Sequence, residues 1–239
     1  MLLEEITMKD FSEGLHKTKT LILPLGTVEE HGTHLPLSTD TTVVYEIAKR
    51  TAKKIPVFIA PPLHYGVCTS TSQHAGTIGI GFDTLRSFVE DILKSAYEKG
   101  LRNFVVISGH AGGSHATAMK EAGEELIHWL PESKIAVLTV YDLILKEALE
   151  IADTENDSHA GEIETSLILA MTPKLVKGSS PEEYPTFPKP FIVRNKLKYW
   201  PGGVWGNPEK ATKEKGEQVF NLAVEKLVKL VRDLEAFQE

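Results

Sequence analysis

The sequence predicts an α/β fold, a mainly parallel β-sheet covered by helices on both faces. Two observations carry this: four short, largely apolar runs alternate with longer amphipathic stretches, and none of the runs shows the in/out alternation of a strand with one wet face. The runs are Leu21-Ile22-Leu23-Pro24-Leu25, Val57-Phe58-Ile59-Ala60, Phe104-Val105-Val106-Ile107 and Ile135-Ala136-Val137-Leu138-Thr139-Val140. Helices are expected between them at about 39–54, 83–99 and 114–129, with Asp83 and Ser114 as N-caps and Gly100 closing the second. Strand–helix–strand order at this spacing requires crossovers, which lay helices over a parallel sheet.

After residue 172 the pattern loosens. Pro173, Pro181, Pro185, Pro188, Pro190, Pro201 and Pro208 forbid long regular elements over 173–208. Phe187, Phe191, Tyr199, Trp200 and Trp205 in the same stretch predict a loop packed on the body. Trp200–Trp205 is a candidate lid, although tryptophans serve packing more often. A helix is expected from about Pro208 to Glu239, with Pro208 in its first turn and Val219, Leu222, Val224, Leu227, Leu230, Val231 and Leu234 as its apolar stripe.

A length of 239 residues suits one domain, 1–239, and 41% apolar with 25% charged residues is ordinary globular composition. Lys and Arg total 26 against 33 Asp and Glu, a net charge of −7 that speaks against a nucleic-acid partner. The lone Cys68 excludes an internal disulfide and a cysteine-based zinc cage. No apolar run approaches the roughly 20 residues that span a bilayer. The opening MLLEEITMKDF carries acids where a secretory signal carries basic residues, so a cytoplasmic protein without a membrane partner is expected.

Three polar clusters follow strand ends or begin helices, where ligands of open parallel sheets bind. The first is Gly26-Thr27-Val28-Glu29-Glu30-His31-Gly32-Thr33-His34, continuing to Asp40. Glu29 and His31, two apart, share one side of an extended backbone and can share a metal. Asp40 returns at the start of the next helix, where the dipole also favours a carboxylate. The second cluster is Ser108-Gly109-His110-Ala111-Gly112-Gly113-Ser114-His115; it lacks the lysine of a phosphate loop, and His115 reads as a surface or packing residue. The third, Ser158-His159-Ala160-Gly161-Glu162-Ile163-Glu164, places two acids in a first helical turn. Singly, each has a bland explanation. Together, carboxylate oxygens and imidazole nitrogens without thiolates suit Zn, Mn or Fe, and carboxylates that can bridge point to two ions.

LPLGTVEEHGTHLPLSTD, SGHAGGSH and HAGEIETS, in that order, resemble the creatininase (creatinine amidohydrolase) family. Gly203-Val204-Trp205-Gly206-Asn207-Pro208, Ala211-Thr212 and Lys215-Gly216 resemble its closing segment, so the likeness spans about residues 20–217. The resemblance implies a three-layer α/β/α fold, two divalent metal ions, zinc or manganese, and a homo-oligomer, frequently a hexamer. It makes Glu29, His31, Asp40, His110 and Glu164 the metal ligands, with Asp40 bridging. It makes His159 the proton shuttle behind them and ranks Glu164 above Glu162. The implied activity is hydrolysis of a C–N amide bond in a small-molecule substrate, a cyclic amide or formamide, by hydroxide generated on the metal.

Creatininase itself has tyrosine and glutamate after the second-motif histidine, where this chain has Ala111 and Gly112. Cys68 replaces a usual serine, Thr71 a usual histidine, and His74-Ala75 a usual Phe-Pro. Cys68, Ala111 and Trp205 are therefore expected to line a pocket for a substrate other than creatinine. Family members with the glycine-rich second motif include a formamidopyrimidine-nucleotide deformylase and a peptidase that trims a cofactor-precursor peptide. A phosphoesterase would need Lys or Arg in the three clusters, which hold none. The non-enzymatic alternative is a metal-free binding or assembly protein with a degenerate site.

Overall fold

The computed structural model describes residues 1–238. Its strands are β1 (Thr20–Leu25), β2 (Phe58–Ile59), β3 (Asn103–Ser108) and β4 (Lys134–Thr139), all parallel, in the order β2-β1-β3-β4. The helices are α1 (Met8–Gly14), α2 (Thr39–Ala52), α3 (Phe82–Glu98), α4 (Gly113–Trp129), α5 (Val140–Ile151), α6 (Glu162–Met171) and α7 (Lys213–Ala236). Alternate residues of the central strands feed two cores. Ile22, Val105 and Ile107 pack with α2, α5, α6 and α7, while Leu21, Leu23, Phe104 and Val106 pack with α3 and α4. This is the three-layer α/β/α sandwich, and the buried strands read as unbroken apolar runs because both faces are covered.

The second strand is shorter than expected. In a parallel strand a residue's N–H and C=O point to the same side, and the Pro24 carbonyl accepts from Leu63 N, on the β2 side. The N–H that Pro24 lacks is thus missing where β2 would continue, and Pro61 and Pro62 prevent a regular partner there. The helix starts also move by a residue. Gly81 and Gly112 are the N-caps of α3 and α4, which puts Asp83 and Ser114 inside the first turns.

Two helices were not anticipated, α1 and α5, each opened by a capping box (Thr7 with Asp10, Thr139 with Asp142). The last helix begins later than predicted. Pro208 lies in a separate 3₁₀ turn, Pro208–Lys210, and Thr212 caps α7 through Lys215 N. The expected end of that helix at Glu239 lies outside the described residues. Among the described residues no helix is long and apolar enough to cross a membrane.

Candidate metal centre

All four strands end at the same edge of the sheet, and the polar clusters follow from there. Glu29 and His31 lie on the segment after β1, Asp40 in the first turn of α2, His110 just past β3, and His159 and Glu164 at the entry to α6. All but His159, which is half-buried, are buried. Gly109 makes the approach of α2 possible: a Cβ there would stand 2.0 Å from the Asp40 carbonyl oxygen.

The five candidate ligands converge as two triads that share Asp40. Its Oδ1 is 3.2 Å from His31 Nε2, which is 3.6 Å from Glu164 Oε2. Its Oδ2 is 3.3 Å from His110 Nδ1, which is 2.8 Å from Glu29 Oε2. Around them, hydroxyls fix the remaining carboxylate oxygens. Thr27 donates to Asp40 Oδ2, Thr71 to Glu29 Oε1, and Tyr141 to Glu164 Oε1 at 2.6 Å. His31 Nδ1 donates to the Glu29 carbonyl at 3.1 Å, which fixes the ring with Nε2 turned to Asp40 and Glu164.

The donor set fits divalent cations. Three buried carboxylates are ion-paired here only with histidines, a combination that strands negative charge in a dry site. Glu29 Oε2 is buried and lies 2.8 Å from His110 Nδ1 without the alignment of a hydrogen bond, which leaves both atoms open to an ion between them. The electrostatics say the same. Burial opposes a charge on His31, but Asp40 and Glu164 outweigh it and push the ring up to about 10. Burial also opposes ionisation of Asp40, yet His31 and His110 hold its carboxyl well below the usual range. The pocket pulls protons onto imidazoles because it asks for positive charge.

His159 sits behind the triads, its ring 4.3 Å from that of His31 and 5.3 Å from Trp200. Its Nε2 is 2.8 Å from the Glu30 carbonyl and 3.4 Å from Glu30 Oε1. Ala160 beside it takes φ 50°, rare for alanine, and its N–H donates to Glu164 Oε2 at 2.6 Å. One kinked residue therefore aims both His159 and Glu164. Burial and His31 work against protonation of His159, but Glu30, Glu29 and Glu164 prevail and raise it.

Other residues fall on either side of the expectation. Glu162 turns away, to Lys215 and the N–H groups of Asp153 and Thr154. His115 is fully buried, not at the surface; it accepts from Val67 N and bonds Ser108 Oγ, and burial, helped by His110, pushes it down to about 3. Cys68 is buried in a corner with Glu29 and His110, and Ala111 is exposed beside them. Trp205 donates its N–H to the His159 carbonyl at 2.7 Å, and its ring is 6.1 Å from that of Trp200, which is itself 4% exposed.

Sequence reasoning missed the roles of Thr27, Glu30, Thr71 and Tyr141. Thr27, Glu30 and Tyr141 left a signal in their place just past a strand end, and Thr71 in standing where the family has a histidine. Tyr141→Phe is expected to weaken metal binding by about 10–100-fold by freeing Glu164, measured by competition with a chelator; unchanged affinity would show that the bond orients nothing.

The family model described as Creatininase, creatinine amidohydrolase, matches residues 4–231. The creatinine amidohydrolase of Pseudomonas putida is 27% identical over 248 residues, covering 96% of this chain and 95% of that protein. The mycofactocin precursor peptide peptidase of Mycobacterium tuberculosis is 26% identical, covering 89% and 84%. A solved structure of creatininase in a manganese form superimposes with a TM-score of 0.86 at 26% identity, covering 100% of this chain and 99% of the other.

Proposed function

This chain belongs to the creatininase family, and on that premise we propose that it is a metal-dependent amidohydrolase that cleaves a C–N amide bond. One observation carries the reading: three carboxylates and two imidazoles from four separate segments meet as two triads around Asp40. Glu29, Asp40 and His110 would hold one divalent ion, and His31, Asp40 and Glu164 the other. When bound, zinc or manganese (iron also suits these donors) supplies Lewis acidity to the amide carbonyl and lowers the pKa of water to about 7.

The protein's own contribution is placement. Asp40 offers one oxygen to each triad, while Thr27, Thr71 and Tyr141 keep the carboxylates from rotating. His159 holds a proton at Nε2 against Glu30 and delivers it to the leaving nitrogen, a task that suits an imidazole raised by neighbouring carboxylates. Trp200, edge-on to His159, keeps water from that side of the ring.

The proposed substrate is a small cyclic amide or a formamide, in a pocket that Cys68, Ala111 and Trp205 help to line. A peptide C–N bond is the second reading, favoured by the Mycobacterium tuberculosis relative. A metal-free binding role is weaker, since it would leave buried carboxylates balanced by histidines alone. Assembly as a homo-oligomer, hexameric by family likeness, belongs to the same proposal and is supported by exposed Trp129 (68%) and Ile192 (97%). So does a cytoplasmic location, in keeping with a single free thiol. Metal analysis with an assay on creatinine, N-formyl and cyclic-amide panels tests the function. The expected result is about two ions per chain and metal-dependent hydrolysis; a metal-loaded protein inert towards every C–N amide would overturn it.

A further inference from the structure

The N-terminus of the 17-residue helix α4 opens beside His110 with its amides unused. Among the described residues, the N–H groups of Gly112, Gly113, Ser114 and His115 donate to nothing, and the Gly112 cap brings no side chain. Such an end attracts anions, because free N–H groups and the helix dipole point the same way.

An independent feature faces the same turn. His110 is 8% exposed; when Nδ1, which faces Glu29 and Asp40, ligates an ion, the one ring proton would stand on Nε2. That Nε2 is buried and without a partner. A Cβ on Gly112 would come within 2.3 Å of it, so the nitrogen is aimed at the backbone of the turn. A buried donor without an acceptor is costly, and a ligand that accepts removes the cost. A cation stands nearby along the chain: Lys196 sets its ammonium on the carbonyl of Thr69, which follows Cys68 of the Glu29–His110 corner. From 185 to 207 the chain carries Lys189, Arg194, Lys196 and Lys198 and no acid, in a protein of net charge −7.

We propose that this corner binds an anionic group of the substrate, a phosphate or a carboxylate. The α4 amides and His110 Nε2–H are its donors, and Lys196 is the nearby cation. The proposal rests on the hydrolase reading and deepens it, since the scissile amide then belongs to an anionic molecule.

The test is binding of inorganic phosphate, and separately acetate, to the metal-loaded protein by titration calorimetry, with bound metal measured in each variant. A Cβ at Gly113 would meet nothing within 4 Å, and an acid in a first helical turn suits the dipole, so Gly113→Asp should fold while placing a carboxylate where the anion sits. Phosphate affinity is expected to fall at least about tenfold in Gly113→Asp and about threefold in Lys196→Ala, and to stay within about twofold in Gly113→Asn, which has the bulk without the charge. Metal content should not change. Tighter phosphate than acetate assigns a phosphoryl group, and the reverse a carboxylate. Equal phosphate affinity in wild type and all variants would put the anion on the ions alone and overturn the proposal. Gly113-dependent binding by a protein that hydrolyses no amide would sink the hydrolase reading and leave this site standing.

Discussion

Asp40→Ala is expected to lose bound metal and turnover together. No other candidate ligand serves both triads: Oδ1 faces His31 at 3.2 Å and Oδ2 faces His110 at 3.3 Å, with the Thr27 hydroxyl on Oδ2. Without it each triad keeps one imidazole and one carboxylate. Charge stabilisation worth several kcal/mol then disappears from the reaction, so turnover should fall by at least about 10³-fold. Metal analysis and the amide assay read the two losses. Asp40→Asn, which keeps the shape and drops the charge, should behave alike, and added zinc or manganese should raise the Tm of wild type but not of this variant. A fully active, metal-free Asp40→Ala protein would remove the metal centre from the account.

His159→Ala should cut turnover by about 10²–10⁴-fold, the usual worth of a positioned general acid, while leaving the ions in place. The separation of the two readouts matters here. His159 offers a nitrogen within 4.8 Å of Glu29 and His31, close enough to act as a ligand itself. Loss of metal from the variant would give it that role. Retained metal with slow turnover, restored in part by added imidazole, would mark it as the proton donor.

Local chemistry was legible in the sequence wherever cause and effect lie close along the chain. Residues 20–25 and 103–108 are strands buried on both faces, and their unbroken apolar runs say so directly. Glu29, His31 and Asp40 fall within one motif after a strand, so a metal reading was available without coordinates. Helix α5 was hidden because the apolar character of 135–140 continues into its first turn; the Thr139–Asp142 capping box was the overlooked sign. The end of β2 was misjudged because the decisive residue, Pro24, lies on a different strand.

The partners of the site residues were not legible at all. Tyr141 meets Glu164 across 23 positions and Thr71 meets Glu29 across 42. Apolar periodicity and residue type thus determined that this chain folds as a covered parallel sheet with hard donors at the strand ends. Which oxygen of Asp40 faces which histidine, and that Glu162 turns away while Glu164 turns in, was decided only in three dimensions. Packing of α2 against the sheet, and of α6 against α2 and α7, fixes those directions, and packing depends on contacts between segments that are remote in sequence.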